Sequence, residues 1–247
     1  MIYIGTAGWS IPKTYAHLFP KEGTHLERYA QVFNITEINK TFYQLPRAST
    51  LQKWSQSTPD HFRFSVKMHR SFTHIHKLRS TENLHDFIKH LQNLGNKWLA
   101  LLIQLPPKLT FESEIAIPFF STLRSIYQGH IALEARNETW LEAKEVLHQF
   151  DISLVAADPP RFEGNDKPLF YTDLIYYRLH GSPKIYYSKY DEKFLRNIAD
   201  NIIRLEAKDT LVIFDNTASG AAIENAYELR QIITSLQSNI ENYDEKK

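Results

Sequence analysis

Ile175-Tyr176-Tyr177-Arg178-Leu179-His180-Gly181 is a β-rich run that places Tyr176, Arg178 and His180 on one face and Ile175, Tyr177 and Leu179 on the other, because successive side chains of a strand point to opposite sides. A strand that carries charge on one face near its end and apolar groups on the other fits an α/β barrel. There the outer face lies under helices and the inner face surrounds the axis. The same arrangement recurs elsewhere. Glu37 shares a face with Asn39, Lys67 with Ser65 and Arg63, and Glu134 with Arg136, while their neighbours Ile38, Val66 and Leu133 turn toward a helix layer. Gln104, Asp158 and Asp215 end or follow further β-rich runs.

Eight runs read as strands: Ile2 to Gly5, Ile35 to Asn39, Phe62 to Lys67, Leu99 to Gln104, Ile131 to Arg136, Ile152 to Asp158, Ile175 to His180 and Thr210 to Asn216. Between them lie helical stripes such as Leu84, Phe87, Ile88, Leu91 and Leu94, or Ala222, Ala226, Leu229, Ile233 and Leu236, spaced to form packing faces. Ser49 with Gln52 and Thr139 with Glu142 have the spacing of capping boxes at helix starts. The expected fold class is α/β, a single (β/α)8 TIM-type barrel with irregularity allowed, over residues 1–240. A charged tail over residues 241–247, short of apolar anchors, is expected to fray. An open doubly wound sheet is the alternative that the same alternation permits. Pro159-Pro160 through Pro168 reads as a longer loop between the sixth and seventh strands.

Composition narrows the chemistry. The 247 residues contain 43% hydrophobic and 23% charged residues, enough for a substantial core. The absence of cysteine removes disulfides, thiolate nucleophiles and Cys-ligated metal centres. Lys+Arg at 29 against Asp+Glu at 28 leaves a net charge of +1, which gives no global attraction to nucleic acid or to an anionic membrane. The start Met1-Ile2-Tyr3-Ile4 lacks a signal-peptide pattern and no run is long enough to span a bilayer, so a cytoplasmic protein with no membrane partner is expected. Oligomeric state is not readable from the sequence. Arg63, Lys67, Arg70, Lys77 and Arg79 lie in a stretch, His61 to Arg79, with no acidic residue. It reads as a strand followed by a solvated loop, and nucleic acid is not the expected partner.

Gly5-Thr6-Ala7-Gly8-Trp9-Ser10, Glu37-Ile38-Asn39-Lys40-Thr41-Phe42-Tyr43, Phe64-Ser65-Val66-Lys67 followed by Thr73-His74, Gln104-Leu105-Pro106-Pro107, Glu134-Ala135-Arg136 with Trp140, Tyr177-Arg178-Leu179-His180-Gly181, and Phe214-Asp215-Asn216 with Asn225-Ala226 together resemble the YecE-like proteins, domain-of-unknown-function family 72. The resemblance runs nearly end to end. It implies a TIM-type barrel and brings no defined reaction with it. Ser10-Ile11-Pro12 lacks the usual aromatic, and Leu18-Phe19-Pro20 replaces a Phe-Tyr-Pro pattern. Asp215 stands where the family pattern has Asn, an added carboxylate that would pair with a basic neighbour or alter ligand preference, so Asn216 rather than Asp215 is carried over as a mouth residue.

Polar residues at several C-terminal strand ends point to a site at the barrel mouth, since barrel active sites collect there. Glu37 and His180 are the candidates for proton transfer. Lys67, Arg136 and Arg178 suit capture of a small polar anionic molecule, Lys67 also being able to form a Schiff base. Asn39, Gln104, Glu134, Asp158 and Asn216 complete the polar lining, and Trp9 and Tyr43 offer aromatic walls. The structural alternative for these charges is an ion-pair network that seals the barrel, with a Glu37-Lys67 pair and arginines held by Glu134 or Asp158. No cofactor is expected. Glu37, Glu134, Asp158, Asp215 and His180 are hard ligands that leave a divalent metal, and with it a metal-assisted hydrolase or phosphodiesterase, as a second reading. A noncatalytic ligand sensor or nucleic-acid accessory protein is the third.

Overall fold

The computed structural model describes residues 1–205 and 207–244, of which 239–244 are described by backbone only. Nine parallel strand segments build one nearly closed barrel. They are β1 (Ile2–Ala7), β2 (Ile35–Ile38), β3 (Arg63–Lys67), β4 (Trp98–Gln104), β5 (His130–Glu134), β6 (Ile152–Leu154), β7 (Ala156–Asp158), β8 (Leu174–Leu179) and β9 (Asp209–Phe214). Their hydrogen-bonded order is β6-β5-β4-β3-β2-β1-β9-β8-β7. The two ends of that order are consecutive halves of one run. β6 pairs with β5 and β7 pairs with β8, and between them the Val155 N–H donates to Leu133 O at 2.9 Å. One bent strand therefore changes partner at Val155 and closes the circle, which makes the open-sheet alternative wrong and puts the irregularity in the sixth of eight barrel strands.

Helices α1 (His25–Ala30), α2 (Ala48–Gln56), α3 (Leu84–Leu91), α4 (Ser113–Ile126), α5 (Lys144–Gln149), α6 (Glu192–Arg204) and α7 (Ala221–Asp244) connect the strands. The apolar residues divide into two cores. Ile38, Val66, Leu133 and Leu179 join the helix stripes in the outer core. Tyr3, Ile35, Ala100, Leu102, Ala132, Leu174, Tyr176, Leu211 and Ile213 fill the barrel interior. Interior and exterior alternate along each strand as its period of two requires. Continued one step beyond the inner core, this alternation carries Glu37, Lys67, Gln104, Glu134 and Arg178 to the C-terminal rim.

Two helix starts differ from expectation. The residue preceding α2 is Arg47, with Ser49 already inside the helix, and Asn137 rather than Thr139 caps the short 3-10 turn Glu138–Ala143, accepting from the Thr139 N–H. The capping box lies instead at Thr24 and Glu27, where a turn frees Thr24 to adopt the extended conformation that a cap needs. α7 runs to Asp244; of the segment expected to fray, residues 245–247 lie outside the described residues. Among the described residues no helix is long and apolar enough to cross a membrane.

β1 and β2 meet closely at Gly5. A Cβ added there would overlap the Ile35 carbonyl and come within 2.9 Å of the Tyr29 hydroxyl, which itself accepts from the Thr6 N–H and donates to Ile35 O. Both obstacles are buried and one is backbone, so the strands would have to part. Gly5→Ala is expected to cost about 3 kcal/mol or more. Chemical denaturation would read this as a lowered midpoint, and an unchanged midpoint would refute the close approach.

Candidate functional site

The polar rim is organised around Arg178, which is 1% exposed. Its Nε and Nη2 donate to Glu37 at 3.0 and 2.7 Å, its Nη1 donates to Glu134 at 3.0 Å, and its Nη2 lies 3.1 Å from Asp215. One planar cation thus meets three carboxylates brought by β2, β5 and the residue after β9. The guanidinium suits this because its fork presents donors in fixed directions and it keeps its charge when buried. Burial works against the charge on Arg178, but Asp215, Glu37 and Glu134 outweigh it and hold its pKa well above the ordinary value.

Each carboxylate is satisfied further. Glu37 accepts from Tyr176 at 2.7 Å, and Tyr176 in turn meets Ser65 at 2.9 Å. Burial, with Glu37 beside it, pushes the Tyr176 phenol up, so it acts as a donor. Glu134 accepts from the Gln104 amide at 3.0 Å, from Arg136 at 3.3 Å and from His180 Nε2 at 3.2 Å. Burial alone would raise the Glu134 pKa, yet Arg178, His180 and Arg136 hold it well below the usual carboxylate range. His180 Nδ1 meets Asp215 at 3.0 Å. Burial tends to lower the His180 pKa, and Glu134 and Asp215 together raise it, so this imidazolium spans two carboxylates. Asp215 itself is lowered, burial being overcome by Arg178 and His180.

Lys67, at the end of β3, stands apart from this network. Its Nζ lies 4.3 Å from the centre of the Phe42 ring, and among the described residues it makes no ion pair. The expected Glu37-Lys67 pair is replaced by Glu37-Arg178. Burial, followed by repulsion from Arg178, lowers the Lys67 pKa to about 8. His74 packs edge-on against the same Phe42 ring at 4.9 Å, on a π-helical turn (Ser71–Ile75) directly after β3. Such turns aim side chains that a regular helix would not, and they recur at functional sites. His74 Nδ1 meets Thr73 at 2.8 Å. Burial, Lys67, Arg136 and Arg70 lower its pKa, which keeps the ring neutral at neutral pH. Arg136 is half-buried and uses Nε and Nη2 on Glu134, while among the described residues its Nη1 has no partner.

Of the expected site residues, the structure brings Glu37, Gln104, Glu134, Arg136, Arg178 and His180 into one hydrogen-bonded set, with Lys67 beside it. The others lie apart. Asp158 accepts from Tyr190 at 2.7 Å, and burial raises its pKa despite that bond. Asn216 donates to Ser188 O and to Asn225, which stitches the loops after β8 and β9 together. Trp9 sets its ring edge-on to Trp54 of α2 at 4.8 Å, an anchor for the loop after β1. Tyr43 is 69% exposed on the rim. Asn39 Oδ1 is buried with no partner among the described residues. Among those residues no group of three or more His, Asp or Glu side chains is arranged to hold a metal ion. Sequence reasoning passed over His74, although Thr73-His74 was part of the family pattern, because nothing local signals a π-turn. It also discounted Asp215, whose position beside Arg178 and His180 depends on strands remote in sequence.

Fold and site together define a TIM-like barrel with a charge-compensated network beneath its C-terminal mouth and a lysine upon it that has no ion-pair partner among the described residues. The chain belongs to the family described as "Protein of unknown function DUF72", whose model matches residues 3–246. It is similar to UPF0759 protein YunF of Bacillus subtilis, 24% identical over 94% of this chain and 95% of that one. It is 36% identical to UPF0759 protein YecE of Escherichia coli K12 over 44% of this chain, a match that spans only 40% of YecE. The crystal structure of a DUF72 family protein from Thermotoga maritima superposes with a TM-score of 0.78 at 26% identity, covering 95% of this chain and 99% of that one. That of a DUF72 family protein from Enterococcus faecalis superposes with a TM-score of 0.75 at 20% identity, covering 95% and 96%, and speaks to the fold alone.

Removing Arg178 would leave three carboxylates buried together. Arg178→Met is expected to cost about 3–5 kcal/mol of stability, the range for breaking a buried ion pair from one side, measured by urea unfolding. A loss under about 1 kcal/mol would show that the network carries little of the fold. The raised His180 pKa makes a second expectation. A folded value above the ordinary 6.5 gives a contribution that is complete below that pH and lost as pH climbs through the folded value. The stability gap between wild type and His180→Gln should therefore shrink from pH 6 toward pH 9. A gap that stays constant or widens would contradict the imidazolium assignment.

Proposed function

We propose that this protein is an enzyme acting on a small polar anionic molecule bound at the C-terminal mouth. The observation that carries the reading is Lys67, a partly buried amine with no carboxylate partner among the described residues, set against an aromatic ring beside a network whose own charges are already matched. Three carboxylates face Arg178, Arg136 and the protonated His180, so the positive charge of Lys67 is left over and is offered to the mouth. Arg136 adds an Nη1 that has no partner among the described residues, and the exposed Arg70 adds to the same field. An anion would relieve this excess.

The network suggests a division of labour. Arg178 serves as the counter-ion that fixes Glu37, Glu134 and Asp215, not as a direct ligand of the substrate. Glu37 and His180, both fully engaged within the network, orient it, and proton transfer falls to His74, neutral and with Nε2 unpartnered among the described residues. The metal-assisted reading has less support, because Arg178, His180, Gln104 and Arg136 already occupy the carboxylate oxygens that a divalent ion would need.

Malonate, a small dianion, tests the site by calorimetric titration. Binding should weaken at least tenfold in Lys67→Met and in Arg136→Met. In the wild type it should fall off as pH rises through about 8, where the lysine loses its proton. Undiminished binding in Lys67→Met, or an affinity that is flat from pH 6 to pH 10, would overturn the proposal.

A further inference from the structure

We infer that Lys67 is an imine-forming lysine that captures the carbonyl carbon of a small oxo acid, whose carboxylate is held by Arg136. This rests on the mouth being an anion site, as proposed above, and names the class of anion. Lysine on a protein surface is normally paired or fully hydrated, and in either state its lone pair is tied up by a proton. Lys67 has neither arrangement: it is half-buried at the end of β3, its Nζ lies 4.3 Å from the centre of the Phe42 ring, and no carboxylate is within ion-pair reach among the described residues. A lysine that only balanced the network would be expected to contact one of its carboxylates, yet Glu37 is taken by Arg178 and Tyr176, and Glu134 by Arg178, Arg136, Gln104 and His180. Withholding every acceptor from an amine that stays accessible is how a lysine is made nucleophilic near neutral pH. Its pKa of about 8 is consistent with that outcome.

The neighbours supply the remaining parts. Arg136 offers Nη1 to a carboxylate, and an oxo acid held there presents its carbonyl next to the bound group. His74, edge-on to the same Phe42 ring, has Nδ1 occupied by Thr73 and Nε2 unpartnered among the described residues, so it can take up and return a proton. The step balances without any oxidant or reductant. The Lys67 nitrogen lone pair forms a bond to the carbonyl carbon while the C=O π pair moves to oxygen. A proton passes from nitrogen to oxygen through His74. The nitrogen lone pair then forms the C=N bond as the hydroxyl leaves as water, taking up from solvent one proton, the equivalent of the one that the Lys67 ammonium released on becoming the free amine. The product is a protonated imine and one water.

Borohydride reduction tests this directly, since hydride addition converts the imine into a stable secondary amine. The full chain would be incubated separately with pyruvate, glyoxylate and 2-oxoglutarate, treated with sodium borohydride, and mapped by peptide mass spectrometry. The expected result is one adduct, on Lys67, suppressed by malonate and formed at least about tenfold more slowly in His74→Gln, a conservative share of what a proton-transfer group contributes. Lys67→Arg keeps the positive charge but cannot form an imine, so it should still bind malonate and show no adduct. If wild type binds malonate in a Lys67-dependent way but none of the three acids is trapped at Lys67, the imine inference falls and the anion site stands. If malonate does not bind either, both fall. Labelling spread over many lysines, or undiminished in Lys67→Arg, would also overturn the inference.

Discussion

The contact of Arg178 with Glu37, Glu134 and Asp215 ties together three regions of the barrel that are distant in sequence. Bringing three carboxylates to a dry axis costs several kcal/mol for each charge unless each is met by a cation and by hydrogen bonds. The guanidinium supplies the charge and the direction of the bonds at once. Once it is in place, the other positions follow. Tyr176 lies two residues earlier on the same strand face and closes the free side of Glu37. His180 lies two residues later and reaches both Glu134 and Asp215. Gln104, on the strand adjacent to β5, fills the remaining acceptor of Glu134. The network is thus less a collection of surface ion pairs than one polar plug on top of the apolar interior of Tyr3, Ile35, Leu102 and Leu211.

A matched plug has a consequence for its surroundings. Because its own charges cancel when His180 is protonated, any further ionised group nearby interacts with a neutral body and gains little from it. Lys67 meets that condition. Arg178 is its largest charged neighbour, and the opposing pull of Glu37, Glu134 and Asp215 does not restore its ordinary pKa. Burial beside like charges lowers the pKa of both the lysine and His74, and because Lys67 is one of the charges acting on His74, the two titrations are coupled.

Much of this was legible in the sequence, for reasons of geometry. A strand's period of two is enough to place Glu37, Lys67, Glu134 and Arg178 inward and Ile38, Val66, Leu133 and Leu179 outward, and eight such runs separated by helical stripes suffice for a barrel. What the period cannot supply is the pairing across the axis. Whether Arg178 meets a substrate or Glu37 depends on the stagger between β8 and β2, which no local pattern records. Trp9 and Asn216 were misleading in a related way, since a residue just past a strand end can turn to the axis or to the helix layer, and the loops after β1 and β9 take Trp9 to α2 and Asn216 to Asn225. The bend at Val155 escaped notice because the apolar alternation of Ile152 to Asp158 continues through it.

Asp215 shows how far one residue can move the balance. The resemblance pattern has Asn at this position, and an amide there would still hydrogen-bond His180 and Arg178 but would bring no charge. The plug would then hold two carboxylates against two arginines, and His180 would lose one of the two anions that keep its pKa raised. The Asp form and the Asn form differ in one respect that matters at the mouth. With Asp, the network is matched only while His180 holds its proton, so a rise in pH makes the plug negative and draws the Lys67 proton more strongly. With Asn, Glu134 alone would face the imidazole as a carboxylate, and the proton on His180 would be held less firmly. The carboxylate in this chain thus links the protonation of a buried histidine to the charge of the lysine above it, a link that begins at Asp215 and passes through Arg178 and Glu134.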